Sequence, residues 1–293
     1  MEITNAPNRR QFLVAGAALA LASRASLAET PRPLKIGVLN DMSSVYSDYQ
    51  GIGSVVAAQL AVDDFSAKLG VPVEIVSADH QNKPDVGAAI ARRWFDTENV
   101  DVIMDLPNSA VALAVLAVAE EKNKAVIGSG AGSAVMTGPK CSRNFVHWTY
   151  DTYSSGVALG KAVTEAGGKT WFFVTADYAF GKDLEEKCAG AVEAAGGKVL
   201  GSVRHPINTP DFSSFLLQAQ GSGADVVAFA NGGGDTNGCF KQAHEFGLEP
   251  KQRLAGFTLN VTNIPALGLD IAQGALFPTA FYWDANVGTR AFS

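Results

Sequence analysis

Short apolar runs alternate with longer amphipathic segments along most of the chain. Leu34–Leu39, Val73–Val76 and Val102–Met104 are apolar runs, and each is followed by a polar loop and then by a helical pattern of apolar positions. A chain that alternates strands with helices in this way predicts parallel sheets with helices packed on their faces. The order up to Gly132 is βαβαβαβ.

The alternation breaks after Ser133, in a turn-rich stretch, and resumes with the apolar run Thr170–Val174. We therefore predict an α/β fold of two doubly wound parallel-sheet lobes joined by a hinge. The segment Gly274–Trp283 is predicted to be a strand that returns toward the first lobe. The predicted divisions are a signal peptide at 1–28, a first lobe at 29–149, a second lobe at 150–278, and an incomplete return to the first lobe at 279–293.

Two glycine-containing loops follow predicted strands. Gly128–Ser133 follows one strand, and Asn231–Asp235 follows the strand Val226–Ala230. Neither has the spacing of a dinucleotide fingerprint or the lysine of a P-loop. Ligands of open α/β sheets bind outside the carboxyl ends of the strands, where small residues leave backbone N–H groups accessible. We interpret both loops as cradles for an anion or polar ligand, while the possibility that they only form tight turns stays open.

Composition and motifs give no support to catalysis or to nucleic-acid binding. The chain of 293 residues is 47% hydrophobic, has a net charge of -6 and contains no basic run. Its four histidines do not form an HExxH motif, and there is no G-x-S-x-G elbow. We therefore predict no catalytic residues, no metal site and no cofactor. His80, in a polar loop beside Asp79, is expected to make a surface hydrogen bond.

The start of the chain resembles an export signal of the twin-arginine (Tat) type. Arg9 and Arg10 precede an apolar stretch that is too short to span a bilayer, and small residues follow at Ser26–Ala28. Export to the periplasm makes a disulfide possible. Cys188 and Cys239 are both predicted to lie in helices of the second lobe, so either they pair or they remain buried thiols.

Aromatic residues cluster in the loops that are expected to open on the cleft between the lobes. Such side chains are suited to gripping the apolar body of a small ligand, although packing beneath the loops would explain each of them equally well. They are Tyr46, Tyr49, Tyr150, Tyr178 and Phe180.

The chain resembles the periplasmic solute-binding proteins of ABC importers, in the branched-chain amino-acid-binding (leucine/isoleucine/valine) group. The stretches that carry the resemblance are Lys35–Leu39, Val76–Pro84, Gly168–Val174, Asp177–Gly181 and Asp211–Phe215. The resemblance implies a type I periplasmic binding protein-like fold. It also implies a small-molecule ligand held between the lobes and a membrane permease as partner.

In that family, hydroxyl and backbone N–H groups of the first lobe hold the ligand's carboxylate, and an acidic residue of the second lobe holds its ammonium. The position of that acidic residue corresponds here to Thr258, and a neighbouring aromatic position corresponds to Gly232. Asp177 or Asp235 could replace the lost acid. The predicted ligand-binding set is Tyr46, Tyr49, Asn108, Ser109, Ala110, Gly130, Ala131, Gly132, Tyr150, Asp177, Tyr178, Phe180, Asn231, Asp235 and Thr258.

We therefore predict an exported, non-enzymatic binding protein for a small carboxylate with an apolar or aromatic body. A branched-chain amino-acid binder is the alternative, and it is disfavoured because an ammonium without an acidic partner would be a buried unpaired charge. Two competing classes are an exported α/β hydrolase, which needs a nucleophile beside a base, and a ligand-sensing receptor domain, which needs a fused signalling segment. Members of the family continue beyond the position of Ser293, so we also expect a truncated C-terminus and uncovered apolar side chains.

Overall fold

A computed structural model describes residues 32–260 and 263–292 of the protein. The predicted fold class is confirmed, because the chain forms two parallel sheets with helices between their strands. The predicted signal peptide at 1–28 lies outside the described residues. None of the helices in the described part of the chain is both long and apolar enough to cross a membrane.

The first sheet has five parallel strands in the order β2-β1-β3-β4-β5. A short 3₁₀ helix, Ala134–Met136, separates β4 from β5. The elements of this lobe are β1 Leu34–Asn40, α1 Gly51–Leu69, β2 Val73–Asp79, α2 Pro84–Asp96, β3 Val102–Asp105, α3 Ser109–Lys122, β4 Ala125–Gly128 and β5 Phe145–His147.

The second sheet has four parallel strands in the order β7-β6-β8-β9. Three short helices follow its last strand: α8 Asn263–Leu267, α9 Leu269–Ala272 and α10 Val287–Phe292. The preceding elements are α4 Thr152–Glu165, β6 Thr170–Ala176, α5 Ala179–Ala194, β7 Lys198–His205, α6 Ser213–Ser222, β8 Val226–Ala230, α7 Gly234–Glu245 and β9 Arg253–Gly256.

The second lobe has one hydrophobic core on each face of its sheet, and the central strand β6 contributes side chains to both. Successive side chains of a strand point to opposite faces, so Trp171 and Phe173 pack against α4 and α5, while Phe172 and Val174 pack against α6 and α7. This explains why β6 is an uninterrupted apolar run, as strands covered on both faces are.

The suggested disulfide between Cys188 and Cys239 is absent, since both are free thiols. Cys188 lies in the core on the α4–α5 face of the sheet, and Cys239 lies in the core on the other face. Helices α4 and α5 approach closely because Gly156 and Gly160 present no side chain to the backbone of Cys188. The sheet therefore separates the two thiols, and both are buried thiols, the second of the two possibilities.

Helix α1 carries an exposed apolar stripe. Its exposed apolar side chains are Ile52, Val56, Leu60, Phe65 and Leu69, and Gly51 is the only buried residue among the helix's residues. The other helices of the first lobe, α2 and α3, contribute instead to a core that contains Trp94 and Val115. The apolar side chains of α2 and α3 are therefore packed in the core of this lobe, whereas those of α1 are exposed to solvent.

The predicted strand Gly274–Trp283 is wrong. Leu276 forms one isolated parallel bridge to Ala255, and its N–H donates to the carbonyl of Leu254 at 3.0 Å. The segment thus lies against β9 at the edge of the second sheet, rather than as a strand of the first sheet. Because single-strand patterns do not specify which edge a segment joins, the apolar run alone was a poor guide here.

The expectation of a surface hydrogen bond at His80 is also wrong. The imidazole is buried, and its Nδ1 accepts a hydrogen bond from the N–H of Asn82 at 3.0 Å. Burial lowers the pKa of His80 to about 4, against smaller opposing effects of Asp41 and Asp79. His80 is therefore neutral at physiological pH and belongs to the interior of the first lobe.

Candidate functional site

The loop between β3 and α3 adopts an unusual backbone conformation at the carboxyl end of the first sheet. Asp105 and Leu106 have φ values of 88° and 59°, a region that residues other than glycine rarely occupy. Such conformations are concentrated at functional sites, where the surrounding structure maintains them. The loop leads directly into Pro107 and the start of α3.

Two predicted ligand groups are engaged in capping α3. The side chain of Asn108 accepts hydrogen bonds from the N–H groups of Ala110, at 2.9 Å, and Val111, at 3.2 Å. This is the usual role of asparagine at a helix N-cap, and it occupies the N–H of Ala110. The structure therefore gives Asn108 and Ala110 structural partners. Ser109 is also buried, and its Oγ accepts the N–H of Ser133 at 3.1 Å.

The loop after β4 keeps two backbone N–H groups available. The N–H of Gly130 donates to the carbonyl of Asp105 at 3.0 Å, and that of Ser133 is taken by Ser109. Within the described residues, no acceptor takes the N–H groups of Ala131 and Gly132. These two groups and the hydroxyl of Ser109 are the donors of the predicted carboxylate cradle.

Aromatic rings lie directly on this loop. A side chain at Gly132 would place its Cβ 2.8 Å from the Phe180 ring and 2.9 Å from the Tyr150 ring, so glycine is required there by close approach. The Tyr150 hydroxyl also donates to the carbonyl of Gly130 at 3.3 Å. Because Phe180 belongs to α5, the second lobe covers the cradle of the first.

Five predicted aromatic residues converge on one small cavity between the lobes. Its volume is about 10 Å³, which is close to the room needed for a single water molecule. Hydroxyl groups from both lobes meet there, since those of Tyr46 and Tyr178 are in hydrogen-bond contact. The cavity is lined by Tyr46, Tyr49, Pro107, Tyr150, Tyr178, Phe180, Gly233 and Thr258.

Three tyrosines of this cavity, Tyr46, Tyr150 and Tyr178, are neutral hydrogen-bonding groups at any physiological pH. Burial is the main cause that raises the pKa of Tyr46, Tyr150 and Tyr178 above the ordinary value. Each keeps its O–H and can donate or accept. The walls therefore combine apolar ring faces with uncharged polar edges.

A larger space of about 430 Å³ adjoins the small cavity and shares Tyr49, Tyr150 and Thr258 with it. Its remaining walls come from Thr149, Ser155, Phe257 and Asn260 and from the segment Pro278–Phe281. This volume is within the usual range for small-molecule sites. The contact between the Tyr46 and Tyr178 hydroxyls lies at the small cavity, and neither of these residues lines the larger space.

The acidic candidates of the second lobe do not line the cavity. Asp177 is exposed and forms an ion pair with Lys182 at 2.8 Å, which lowers the pKa of Asp177. Asp235 is buried, but its carboxylate accepts the N–H groups of Asn208 and Thr209, each at 3.0 Å. The interpretation of either residue as the ammonium partner therefore has no support in the geometry.

Asn231 and Thr258 differ in their placement. The amide of Asn231 points into the second lobe, where it contacts His205 Nε2 at 3.1 Å and accepts the hydroxyl of Thr236 at 2.9 Å. Thr258 lines both spaces of the cleft and donates to the Asn231 carbonyl at 2.9 Å. Thr258 thus lines the cleft, and the Asn231 carbonyl holds its hydroxyl by a hydrogen bond.

Sequence reasoning missed a buried acidic junction between the lobes. Asp183, on α5, accepts hydrogen bonds from the Ser133 hydroxyl and the Ala134 N–H, both at 2.9 Å, and from the hydroxyl of Thr152. The signal was present, because Asp183 follows Phe180 by three positions and so lies on the apolar face of its helix. The junction connects the cradle loop to the second lobe.

Gln50 is a second residue that sequence reasoning missed. Its carboxamide lies against Gly130, where a Cβ would be 2.2 Å from the Gln50 Nε2. No local pattern distinguishes this glutamine from a solvated one at a helix start. Within the described residues, no cluster of three or more histidine, cysteine or acidic side chains is arranged to hold a metal ion.

The sequence profile of a family described as "Periplasmic binding protein" matches residues 33–293. A solved periplasmic binding protein from Burkholderia mallei is 46% identical, with a TM-score of 0.85 over 89% of this chain and 70% of that one. A "Leu/Ile/Val-binding protein homolog 6" of Brucella abortus is 28% identical, over 92% of this chain and 69% of the relative.

The third comparison is with an ABC transporter solute-binding protein of Rhodopseudomonas palustris, solved in complex with 4-hydroxybenzoate. It is 25% identical, with a TM-score of 0.75 over 81% of this chain and 66% of that one.

Two α/β lobes with a cleft between them, lined by aromatic rings and hydroxyl groups, are the architecture of a solute-binding protein. The chain belongs to the periplasmic binding protein family, and the resemblance to the solute-binding proteins of ABC importers is confirmed. The family and fold are those of substrate-binding transport proteins, and no finding supports a hydrolase.

Proposed function

We propose that this protein captures a small carboxylate with an aromatic or other apolar body in the interlobe cleft and delivers it to the permease of an ABC importer. The observation that carries the proposal is the makeup of the cavity wall. Rings and hydroxyls line it, and no aspartate or glutamate is among its lining residues.

The cradle loop supplies the groups that a carboxylate needs. The N–H groups of Ala131 and Gly132 have no acceptor among the described residues, and Ser109 lies beside them. Hydrogen bonds to a carboxylate are charge-assisted and contribute roughly 1.5–3 kcal/mol each. The rings of Phe180 and Tyr150 lie against Gly132, so an aromatic body attached to the carboxylate would enter among rings.

An amino acid would bring an ammonium that this wall does not neutralise. The resemblance to the family matches Thr258 to the position where amino-acid binders have an acid, and Asp235 is already engaged with two backbone N–H groups. A buried cation without a counter-charge is costly, which favours a ligand that lacks one. The 4-hydroxybenzoate bound by the relative from R. palustris agrees with this preference.

Binding requires the lobes to open, because the aromatic cavity of about 10 Å³ is far smaller than a benzoate ring. We infer a hinge motion in which the ligand enters the larger space, contacts the cradle, and is then covered by Tyr178 and Phe180. Hinge closure around a ligand is a general device of two-lobed binding proteins. The competing branched-chain amino-acid function rests on the relative from B. abortus, whose name refers to leucine, isoleucine and valine.

Calorimetric titration of the full-length, refolded, ligand-free protein separates these candidates. Benzoate and 4-hydroxybenzoate should bind more tightly than leucine, and benzamide, which keeps the ring but lacks the charge, should bind weakly. Thr258→Glu should weaken benzoate binding and improve leucine binding. Tight binding of leucine with no binding of the aromatic acids would contradict the proposal and favour the branched-chain function.

We also propose that export uses the Tat route. The motive is the pair Arg9 and Arg10 before a short apolar stretch. Replacing both with lysine should leave the precursor in the cytoplasm, as measured by fractionation and immunoblotting. Undiminished periplasmic protein from the double variant would rule the Tat assignment out.

A further inference from the structure

The loop after β8 contacts the first lobe through its backbone. The N–H of Gly234 donates to the carbonyl of Val45 at 2.8 Å. Val45 lies in the loop between β1 and α1, whereas Gly234 begins α7, so this hydrogen bond joins elements of the two sheets. The predicted cradle of the second lobe is therefore in contact with protein rather than open to a ligand.

The closeness of this contact depends on glycine at one position. Gly233 has a φ of 61° and a ψ of -132°, a conformation that L side chains rarely adopt. A Cβ there would lie 2.1 Å from the Val45 carbonyl oxygen and 3.0 Å from the Tyr46 ring. A backbone carbonyl cannot rotate away as a flexible side chain can, so the lobes would have to separate at this point.

The same contact borders the aromatic cavity. Gly233 is one of its wall residues, and Val45 directly precedes Tyr46, whose hydroxyl meets that of Tyr178. Val45 and Tyr46 are both buried. The approach of Gly233 to Val45 and the pairing of the two tyrosines therefore belong to the same closed arrangement of the lobes.

We propose that Gly233 is the positioning residue that allows the cleft to close, and that its backbone contact with Val45 sets how far the lobes approach. This inference rests on the proposed function, because closure matters for a ligand held between lobes. A side chain at 233 would keep the second-lobe walls away from the ligand while leaving the cradle of Ala131 and Gly132 intact. Affinity would then fall for any ligand, whatever its chemistry.

Gly233→Ala is the test, with Gly223→Ala as its matched control. Gly223 has nearly the same φ, 65°, and nothing lies within 4 Å of its Cβ position. Both variants place alanine at a positive φ, but ψ is -132° at Gly233 and 19° at Gly223, so the first variant adds backbone strain as well as the collision with Val45. A third variant, Gly234→Pro, removes the N–H that donates to Val45 and places proline at the first helical position, which proline tolerates.

Closure should be measured without any ligand as well as with one. Spin labels at Asp64→Cys and Lys241→Cys, with the exposed Cys141 replaced by serine, report the interlobe distance by pulsed electron spin resonance. We expect Gly233→Ala and Gly234→Pro to shift this distance to longer values and to weaken 4-hydroxybenzoate binding about tenfold or more relative to Gly223→Ala.

If Gly233→Ala and Gly234→Pro both give the same interlobe distance as Gly223→Ala, the inference is overturned. If Gly233→Ala does not give a cooperative melting transition, the test rests on the comparison of Gly234→Pro with Gly223→Ala, because Gly234→Pro does not place an alanine in the strained conformation of residue 233. If 4-hydroxybenzoate binds none of the proteins, the proposed ligand class fails, and the distance measurement still tests the role of Gly233.

Discussion

Two glycine-containing loops of this protein differ in what their backbone groups contact. Gly128–Ser133 and Asn231–Asp235 each follow a strand that is one place from the edge of its sheet. In the first loop, the N–H groups of Ala131 and Gly132 remain without an acceptor in the described chain. In the second loop, the N–H of Gly234 is used by the opposite lobe. Glycine content alone therefore does not identify a ligand cradle.

The difference lies in what each loop faces. Gly132 meets two side chains, the rings of Phe180 and Tyr150, which can move aside when the lobes open. Gly233 meets a backbone carbonyl, that of Val45, which moves only with its lobe. The first arrangement suits a site that must admit a ligand, and the second suits a stop that limits the approach of two rigid bodies.

The largest expected effect concerns the carboxyl group that ends the second loop. Burial raises the pKa of Asp235 to about 6, although the N–H groups of Asn208 and Thr209 oppose the shift. Because the folded-state pKa is raised, this group stabilises the protein fully below about pH 4, and the contribution is lost as the pH rises through about 6. The loss is about 3 kcal/mol by order of magnitude.

Urea unfolding of the wild type and of Asp235→Asn checks this expectation between about pH 4 and pH 7. The free energy of unfolding of the wild type minus that of the variant should fall as the pH rises. His80, whose pKa is lowered to about 4, acts in the opposite direction in both proteins, so the difference removes its effect. A difference that grows with pH would mean that Asp235 stabilises as an anion.

The next effect is at the first loop. Gly132→Val should weaken 4-hydroxybenzoate binding about a hundredfold, or about 2.7 kcal/mol, because its side chain displaces the rings of Phe180 and Tyr150. Overpacking of this kind also lowers stability by about 1–3 kcal/mol. Calorimetry and thermal melting measure the two effects. Gly53→Val is the control, since nothing lies within 4 Å of its Cβ position; equal affinity of the two variants would place the ligand elsewhere.

A smaller effect separates two serines of the first lobe. Ser109→Ala removes a predicted carboxylate donor and should weaken binding about tenfold, or about 1.4 kcal/mol. Ser133→Ala keeps the N–H that donates to Ser109 but removes the hydroxyl that donates to Asp183. It should lower the free energy of unfolding by about 1 kcal/mol and change affinity less. The reverse ranking of affinities would place the ligand nearer Asp183.

No effect is expected from reduction. Cys239 supports the second loop, since its sulfur accepts a hydrogen bond from the Asn231 amide at 3.2 Å, and a disulfide would alter that support. The melting temperature should be unchanged by dithiothreitol. One thiol, that of Cys141, should react with Ellman's reagent in the native protein, and all three should react after unfolding. A lower melting temperature on reduction would contradict the free thiols.

Local sequence patterns were sufficient for the elements and for the class of fold. The buried run of β6, the strands β1 and β2 and the glycine loops after β4 and β8 were all predicted close to their positions, because the hydrophobic period and the turn residues are local features of the sequence. Their positions in loops at strand ends then indicated the aromatic residues that converge on the cavity. The exposure of the apolar stripe on α1 was not readable from the helix itself, since its pattern is that of a covered helix.

The roles of particular residues came only from contacts between distant parts of the chain. Asp177 and Asp183 are six residues apart, yet one is exposed and the other joins the two lobes. Gly132 and Gly233 differ in whether a ring or a carbonyl from another element lies above them. Hydrophobic periodicity indicates how a residue is placed in its own helix or strand, but it does not indicate which residue it contacts across the cleft. Tertiary packing therefore decided which loop keeps backbone N–H groups without an acceptor among the described residues and which one meets the opposite lobe.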